Sequence, residues 1–72
     1  MDDVQERLRI LLDYWIEHNS EHEKEIRDWA DKVPPSSTEA ARQLRKAAAK
    51  MAAVSEELVK AKQALPRSKG RH

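Results

Sequence analysis

The sequence predicts an all-α protein: an antiparallel two-helix hairpin that pairs with a second copy to form a four-helix bundle. Two long segments carry apolar residues at alternating spacings of three and four, and a Pro-Pro pair at residues 34 and 35 separates them. That spacing is typical of helices that pack along their length. A chain of 72 residues without cysteine has no disulfide and too small a core to stabilise an isolated helix pair, so we expect a homodimer.

The first helix is predicted from about residue 3 to residue 32. Asp2 and Asp3 place negative charge at the positive end of the helix dipole, and Pro34 ends the helix because proline has no amide hydrogen. The apolar stripe of this helix contains Val4, Leu8, Leu11, Trp15, Ile26, Trp29 and Val33. His18 and His22 fill the two places missing from its middle, so we expect both imidazoles to face the second helix.

The second helix is predicted from about residue 37 to residue 65. Ser36 as N-cap and Glu39 three residues later form a capping box, and Pro66 stops the helix. The apolar stripe of the second helix contains Ala40, Leu44, Ala47, Met51, Val54, Leu58, Ala61 and Leu65. Residues 66–72 are basic and have no apolar periodicity, so they are predicted to form a disordered tail.

The short connection makes the two helices antiparallel neighbours. Aligning their ends places Met51 opposite His18 and a run of alanines, Ala47 to Ala49, opposite His22. Small residues there allow either a close approach of the helices or a cavity around the imidazoles. The sequence therefore predicts a polar site in the centre of the bundle.

The composition limits the location and the class of partner. The N-terminus has no basic signal-peptide region, and no apolar run approaches the roughly 20 residues of a membrane span, so we expect a cytoplasmic protein that does not enter the membrane. Residues 1–33 hold ten acidic and five basic side chains, whereas residues 34–72 hold three acidic and nine basic ones. The two halves should therefore attract each other.

The histidines and nearby carboxylates are the candidate metal site. His18 and His22 lie one helical turn apart and can chelate one ion, and Glu21 and Glu25 follow them by three residues each. The predicted walls of the site are Trp15, Trp29, Met51 and Tyr14. Zn, Cu, Ni or Fe would suit these ligands, but the order of His and Glu is the reverse of the Glu-x-x-His pattern of di-iron bundles. The predicted function is storage, sensing or delivery of a transition metal.

Two other functions stay open. In the first, the protein is a structural or protein-interaction module whose core histidines only set the register of the bundle. In the second, which is weaker, it binds nucleic acid through a basic surface. That surface would consist of Arg42, Arg45, Lys46, Lys50, Arg67, Lys69 and Arg71. An enzyme is not expected, because there is no nucleophile beside a base and no Gly-rich turn.

One stretch of the chain resembles a known family. Residues 15–22 read Trp-Ile-Glu-His-Asn-Ser-Glu-His, and a second tryptophan follows at Trp29. The string resembles the first helix of a family of short prokaryotic helical-hairpin proteins of unknown function, over residues 8–30. The resemblance implies a helical hairpin whose motif positions are His18, Asn19, Glu21 and His22, with the histidines as metal ligands. It implies no substrate or activity.

Overall fold

The computed structural model describes residues 3–66, which form two long α-helices joined by a short turn. Helix α1 runs over Asp3–Lys32 and helix α2 over Thr38–Ala64, and no strand occurs within residues 3–66. The all-α hairpin predicted from the sequence is therefore confirmed. Most of the predicted tail, residues 67–72, lies outside the described residues. Neither helix has a stretch long and apolar enough to cross a membrane.

The turn between the helices begins at the Pro-Pro pair. A single 3₁₀ turn covers Pro35–Ser37, and the Ser37 amide donates to the Pro34 carbonyl at 2.8 Å. Ser37 is the N-cap of α2 and makes no side-chain capping bond, so the capping box predicted at Ser36 is wrong. The 3₁₀ turn includes Ser36 and Ser37, so α2 begins at Thr38. Glu39 accepts a hydrogen bond from Arg42 at 2.6 Å.

The contact between the helices is built mainly from small side chains. The buried residues are Leu12 and Ala30 on α1 and Ala41 and Ala48 on α2. Half-buried residues continue these two rows at alternating spacings of three and four, and we call the two rows together the core stripe. The core stripe of α1 contains Leu12, Ile16, Asn19, Glu23, Ile26, Ala30 and Val33, and that of α2 contains Ala41, Leu44, Ala48, Met51, Ser55, Leu58, Lys62 and Leu65. Facing alanines allow the two backbones to approach closely.

The stripe predicted for α1 is correct in part: Leu8, Ile26 and Val33 are half-buried as expected, but the other predicted members lie one residue away from half-buried or buried positions. The predicted members Val4, Leu11, Trp15 and Trp29 are each more than 40% exposed, and His18 and His22 are exposed as well. The prediction that the two imidazoles face α2 is therefore wrong for the hairpin. The physical reason is volume, because a tryptophan between the helices would hold apart backbones that buried alanines bring together.

The stripe predicted for α2 is half correct. Leu44, Met51, Leu58 and Leu65 are half-buried in the core stripe as expected. The other four predicted members, Ala40, Ala47, Val54 and Ala61, are exposed. Ala48, with no exposed surface, takes the buried position predicted for Ala47.

Asn19 occupies the place opposite Met51 that was predicted for His18. The Asn19 amide nitrogen donates to the Met51 carbonyl at 2.7 Å and contacts the Ser55 hydroxyl at 2.8 Å. Three further contacts join the helices along one side of the hairpin, which we call the polar edge. They are Arg9 to the Pro66 carbonyl at 2.5 Å, Lys62 to Asp13 at 2.5 Å and Arg45 to Asp31 at 2.8 Å. These directional contacts fix how the helices align.

Candidate functional site

The histidines lie on an exposed face that both helices share. Each member of this face directly precedes a residue of the core stripe, and one residue rotates a helix by about 100°. Because the helices are antiparallel, the residues that precede the core stripe on α1 and those that precede it on α2 lie on the same side of the hairpin, opposite the polar edge. We call this surface the lateral face. It contains Leu11, Trp15, His18, His22 and Trp29 from α1 and Ala47, Val54 and Ala61 from α2.

The lateral face exposes large apolar side chains beside the two imidazoles, and the charged residues Glu25, Lys50 and Glu57 directly precede core-stripe residues in the same way. Leu11 is 44% exposed, Trp15 41%, Trp29 56% and Val54 49%. The Lys32 ammonium lies 4.5 Å from the centre of the Trp29 ring, in a cation-π contact at the end of the face. The two tryptophans thus flank the histidines along α1 as predicted, but at the surface of the hairpin and not in its core.

His18 and His22 point their Nε2 atoms at each other. These atoms are 3.1 Å apart, and the rings are edge to face with centroids 4.5 Å apart. Their spacing of one helical turn brings both rings to the same side of α1. This separation is that of a hydrogen bond, and the tautomers of the two rings decide which Nε2 donates and which accepts.

Two neighbouring side chains flank the imidazoles. The Tyr14 ring stacks on His18, with centroids 5.3 Å apart and planes 14° from parallel. On the other side, the Glu25 carboxylate Oε1 lies 3.7 Å from His22 Nδ1.

The spacing of the two nitrogens fits joint coordination of one ion. A tetrahedral zinc with Zn–N bonds of about 2.0–2.1 Å separates two nitrogen ligands by about 3.3 Å. Within residues 3–66, no group of three or more His, Cys, Asp or Glu side chains is placed to hold a metal. One hairpin therefore supplies a bidentate pair, and further ligands have to come from water, another molecule or a second chain.

The other predicted site residues fall into different positions. Glu25 lies at the ring nitrogen remote from the Nε2 pair, and Glu21 is exposed on α1. Met51 is half-buried in the core stripe, where its carbonyl accepts from Asn19. Asn19, which sequence reasoning gave no role in the core, is the residue that links this turn of α1 to α2. The sequence signal for this role was the position of Asn19 in a row from Leu12 to Val33 that alternates spacings of three and four without interruption.

Carboxylates engage part of the predicted basic surface. Arg42 pairs with Glu39 on α2, and Arg45 pairs with Asp31 on α1. The tail residues of that surface lie outside the described part of the chain. The attraction predicted between the acidic and basic halves is thus seen at Arg45 and Asp31, and at Lys62 and Asp13.

Comparison with known proteins places the chain in a family. Residues 8–65 match the family described as a domain of unknown function, DUF8180. This chain belongs to that family. It is also 39% identical to an uncharacterized protein of Archaeoglobus fulgidus over 56 residues, which is 78% of this chain and 90% of the archaeal one. No solved structure matches the chain. The expectation of a family of unknown function is confirmed, and neither match carries an activity.

Proposed function

We propose that this protein binds a single transition-metal ion through Nε2 of His18 and Nε2 of His22, in storage, sensing or delivery of the metal. The observation that supports the proposal is the 3.1 Å separation of these two atoms, close to the spacing in a tetrahedral complex. Zn²⁺, Cu²⁺ and Ni²⁺ are the ions that imidazole pairs bind best, and iron is a weaker candidate. A cytoplasmic location is part of the same proposal.

The surrounding residues have supporting roles in this site. Glu25 orients the His22 ring through Nδ1, as outer carboxylates do for metal-bound histidines. Tyr14 limits the rotation of the His18 ring by stacking on it. Glu21 is the carboxylate available as a further ligand on the same turn.

Thermal unfolding with and without metal tests the proposal. We expect ZnCl₂, CuSO₄ or NiCl₂ at 100 times the dissociation constant to stabilise the untagged protein by about 2.7 kcal/mol, and EDTA to reverse the rise in Tm. A His18→Ala, His22→Ala double variant should keep its helical circular dichroism and lose the metal response. His72→Ala removes the third histidine and is the matched control. Equal metal responses in the double variant and the parent would overturn the proposal.

A protein-interaction module is the second candidate function. The exposed tryptophans of the lateral face favour it, because exposed aromatic patches are typical of binding surfaces. In this reading Asn19, and not the histidines, provides the polar contact that sets the register within the hairpin. Metal-independent Tm values together with capture of a partner that Trp29→Ala abolishes would favour the module over the metal protein.

A further inference from the structure

The lateral face has the spacing of a second packing surface. On α1 its members Leu11, Trp15, His18, His22 and Trp29 keep the alternation of four and three residues if Glu25 is included. The core stripe, displaced by one residue, keeps the same alternation. Helix α1 therefore carries two stripes suited to helix packing, and α2 covers one of them.

The occupant of the lateral face has to provide stability that the hairpin lacks. Within residues 3–66 the buried apolar residues are one leucine and three alanines, and no large side chain is fully buried. The radius of gyration is 16.8 Å, against about 11 Å for a compact domain of this length. A chain of this size needs a disulfide, a metal or a second copy to remain folded, and it has no cysteine. A second copy meets this need in every molecule, whereas an unrelated partner does not.

The sequence of the face fits an antiparallel pairing of α1 with itself. The face has intervals of three residues, such as Trp15 to His18 and His22 to Glu25. When two such helices pack antiparallel, the first residue of a three-residue interval on one helix packs against the last residue of such an interval on the other. One register that satisfies this rule centres on residue 20 and makes three kinds of layer. They are His18 against the partner's His22, Trp15 against the partner's Glu25, and Leu11 against the partner's Trp29.

A second register that satisfies the rule centres between residues 16 and 17. It packs His18 against the partner's Trp15 and His22 against the partner's Leu11. That arrangement buries imidazoles against apolar side chains without a polar partner, which is unfavourable. The register centred on residue 20 places all four imidazoles together. Measured along the helix axis, each of these residues is within about 3 Å of the two-fold axis.

We infer that two hairpins associate through their lateral faces, with the two-fold axis beside Ser20, so that His18 and His22 of both copies bind one metal ion. The inference rests on the proposed function and deepens it, because it supplies the two ligands that one chain lacks. Four imidazole nitrogens complete a tetrahedral site. The dimer is the four-helix bundle predicted from the sequence, with the metal between the two α1 helices.

Helix α2 fits the same axis. Asn19 contacts the backbone of Met51 and the hydroxyl of Ser55, so Val54 lies at the level of the histidines. Ala47 and Ala61 are seven residues to either side of Val54 and face the same way. In the dimer, Val54 packs near its symmetry mate, and the alanines allow the two α2 helices to approach.

The charge of α1 links dimerisation to the metal. Residues 1–33 hold twice as many acidic as basic side chains, so two α1 helices side by side repel each other. A divalent cation on the axis offsets this repulsion at the point of contact. The alternative arrangement, with α1 of one copy over α2 of the other, joins opposite charges and separates the histidine pairs.

Sedimentation equilibrium with ZnCl₂ measures the mass of the assembly, and elemental analysis of the same sample measures the zinc bound per chain. We expect one zinc per two chains and a dimer dissociation constant at least about tenfold lower with zinc than with EDTA. The double variant His18→Ala, His22→Ala should lose both effects. One zinc bound per monomer would overturn the dimeric site but leave the proposed function intact, whereas binding of none of Zn²⁺, Cu²⁺ and Ni²⁺ would overturn the proposed function itself.

Cysteine cross-linking tests the register without relying on the metal. The chain has no native cysteine, so single substitutions report one position. Position 21 lies beside the axis on the outer edge of the face, and we expect Glu21→Cys to cross-link to its own copy with a short bismaleimide. Asp28→Cys, two turns further along the same side of α1, is the matched control and should cross-link weakly. Equal or stronger cross-linking at position 28 would overturn the register, whatever the zinc result.

Discussion

The core stripe and the lateral face of α1 differ by one residue along the sequence and by the size of their side chains. The core stripe buries Leu12 and Ala30 on α1 and Ala41 and Ala48 on α2, whereas the lateral face carries two tryptophans and two histidines. Close packing within the chain selects small residues, and a surface that receives another molecule can present large aromatic ones. A single amphipathic helix can thus serve two different partners.

The largest expected difference between the two surfaces is at neighbouring leucines. Leu12→Ala should lower the free energy of unfolding by about 2–5 kcal/mol at every protein concentration, because Leu12 is the one large buried side chain within residues 3–66. Leu11→Ala removes the same atoms from the lateral face and should act mainly at concentrations where the protein self-associates. Urea denaturation at several concentrations measures both. Equal losses for the two variants at the lowest concentration would contradict the assignment of the stripes.

Neighbouring alanines on α2 give the next largest expected difference. Ala48 has no exposed surface, so Ala48→Leu should force the helices apart and cost about 1–3 kcal/mol in the free energy of unfolding. Ala47→Leu adds the same atoms at the exposed neighbouring position and should change the stability of the hairpin by less than about 0.5 kcal/mol. Thermal unfolding of both variants checks this. At a protein concentration too low for self-association, a larger loss in Ala47→Leu would show that Ala47 faces α1 after all.

The polar edge should give the smallest effect. Asp31→Asn removes the partner of Arg45, and because both side chains are more than half exposed we expect a loss of less than about 1 kcal/mol that disappears in high salt. Glu57→Gln, which breaks a pair within α2, is the matched control. Unfolding at low and high ionic strength measures the difference. A loss that persists in high salt would indicate that Asp31 contributes packing and not charge.

The sequence was sufficient to predict the helices because their signals are local. The Pro-Pro pair at 34 and 35 stops α1 wherever the second helix lies, and the apolar spacing of three and four identifies each helix without knowledge of its neighbour. The short turn then leaves an antiparallel hairpin as the available arrangement.

The orientation of α1 could not be predicted from hydrophobicity alone. The observed core stripe contains Asn19 and Glu23, whereas the predicted stripe contains Trp15 and Trp29, so a hydrophobicity criterion prefers the wrong one. What decides between them is the fit of side-chain volumes across two helices, a property of the pair that neither helix reveals alone. The two histidine rings are neighbours as expected, because a spacing of four residues brings two rings together on whichever side of the helix they lie.

Asn19 has a consequence for the histidines that enclose it in sequence. It ties the turn between His18 and His22 to the backbone of α2 at Met51, so the two imidazoles project from a segment whose position is already fixed by folding. Most of the conformational entropy needed to position the two ring nitrogens is therefore lost during folding, before a ligand binds. The pair is preorganised, so ligand binding requires only rotation of the two imidazole rings.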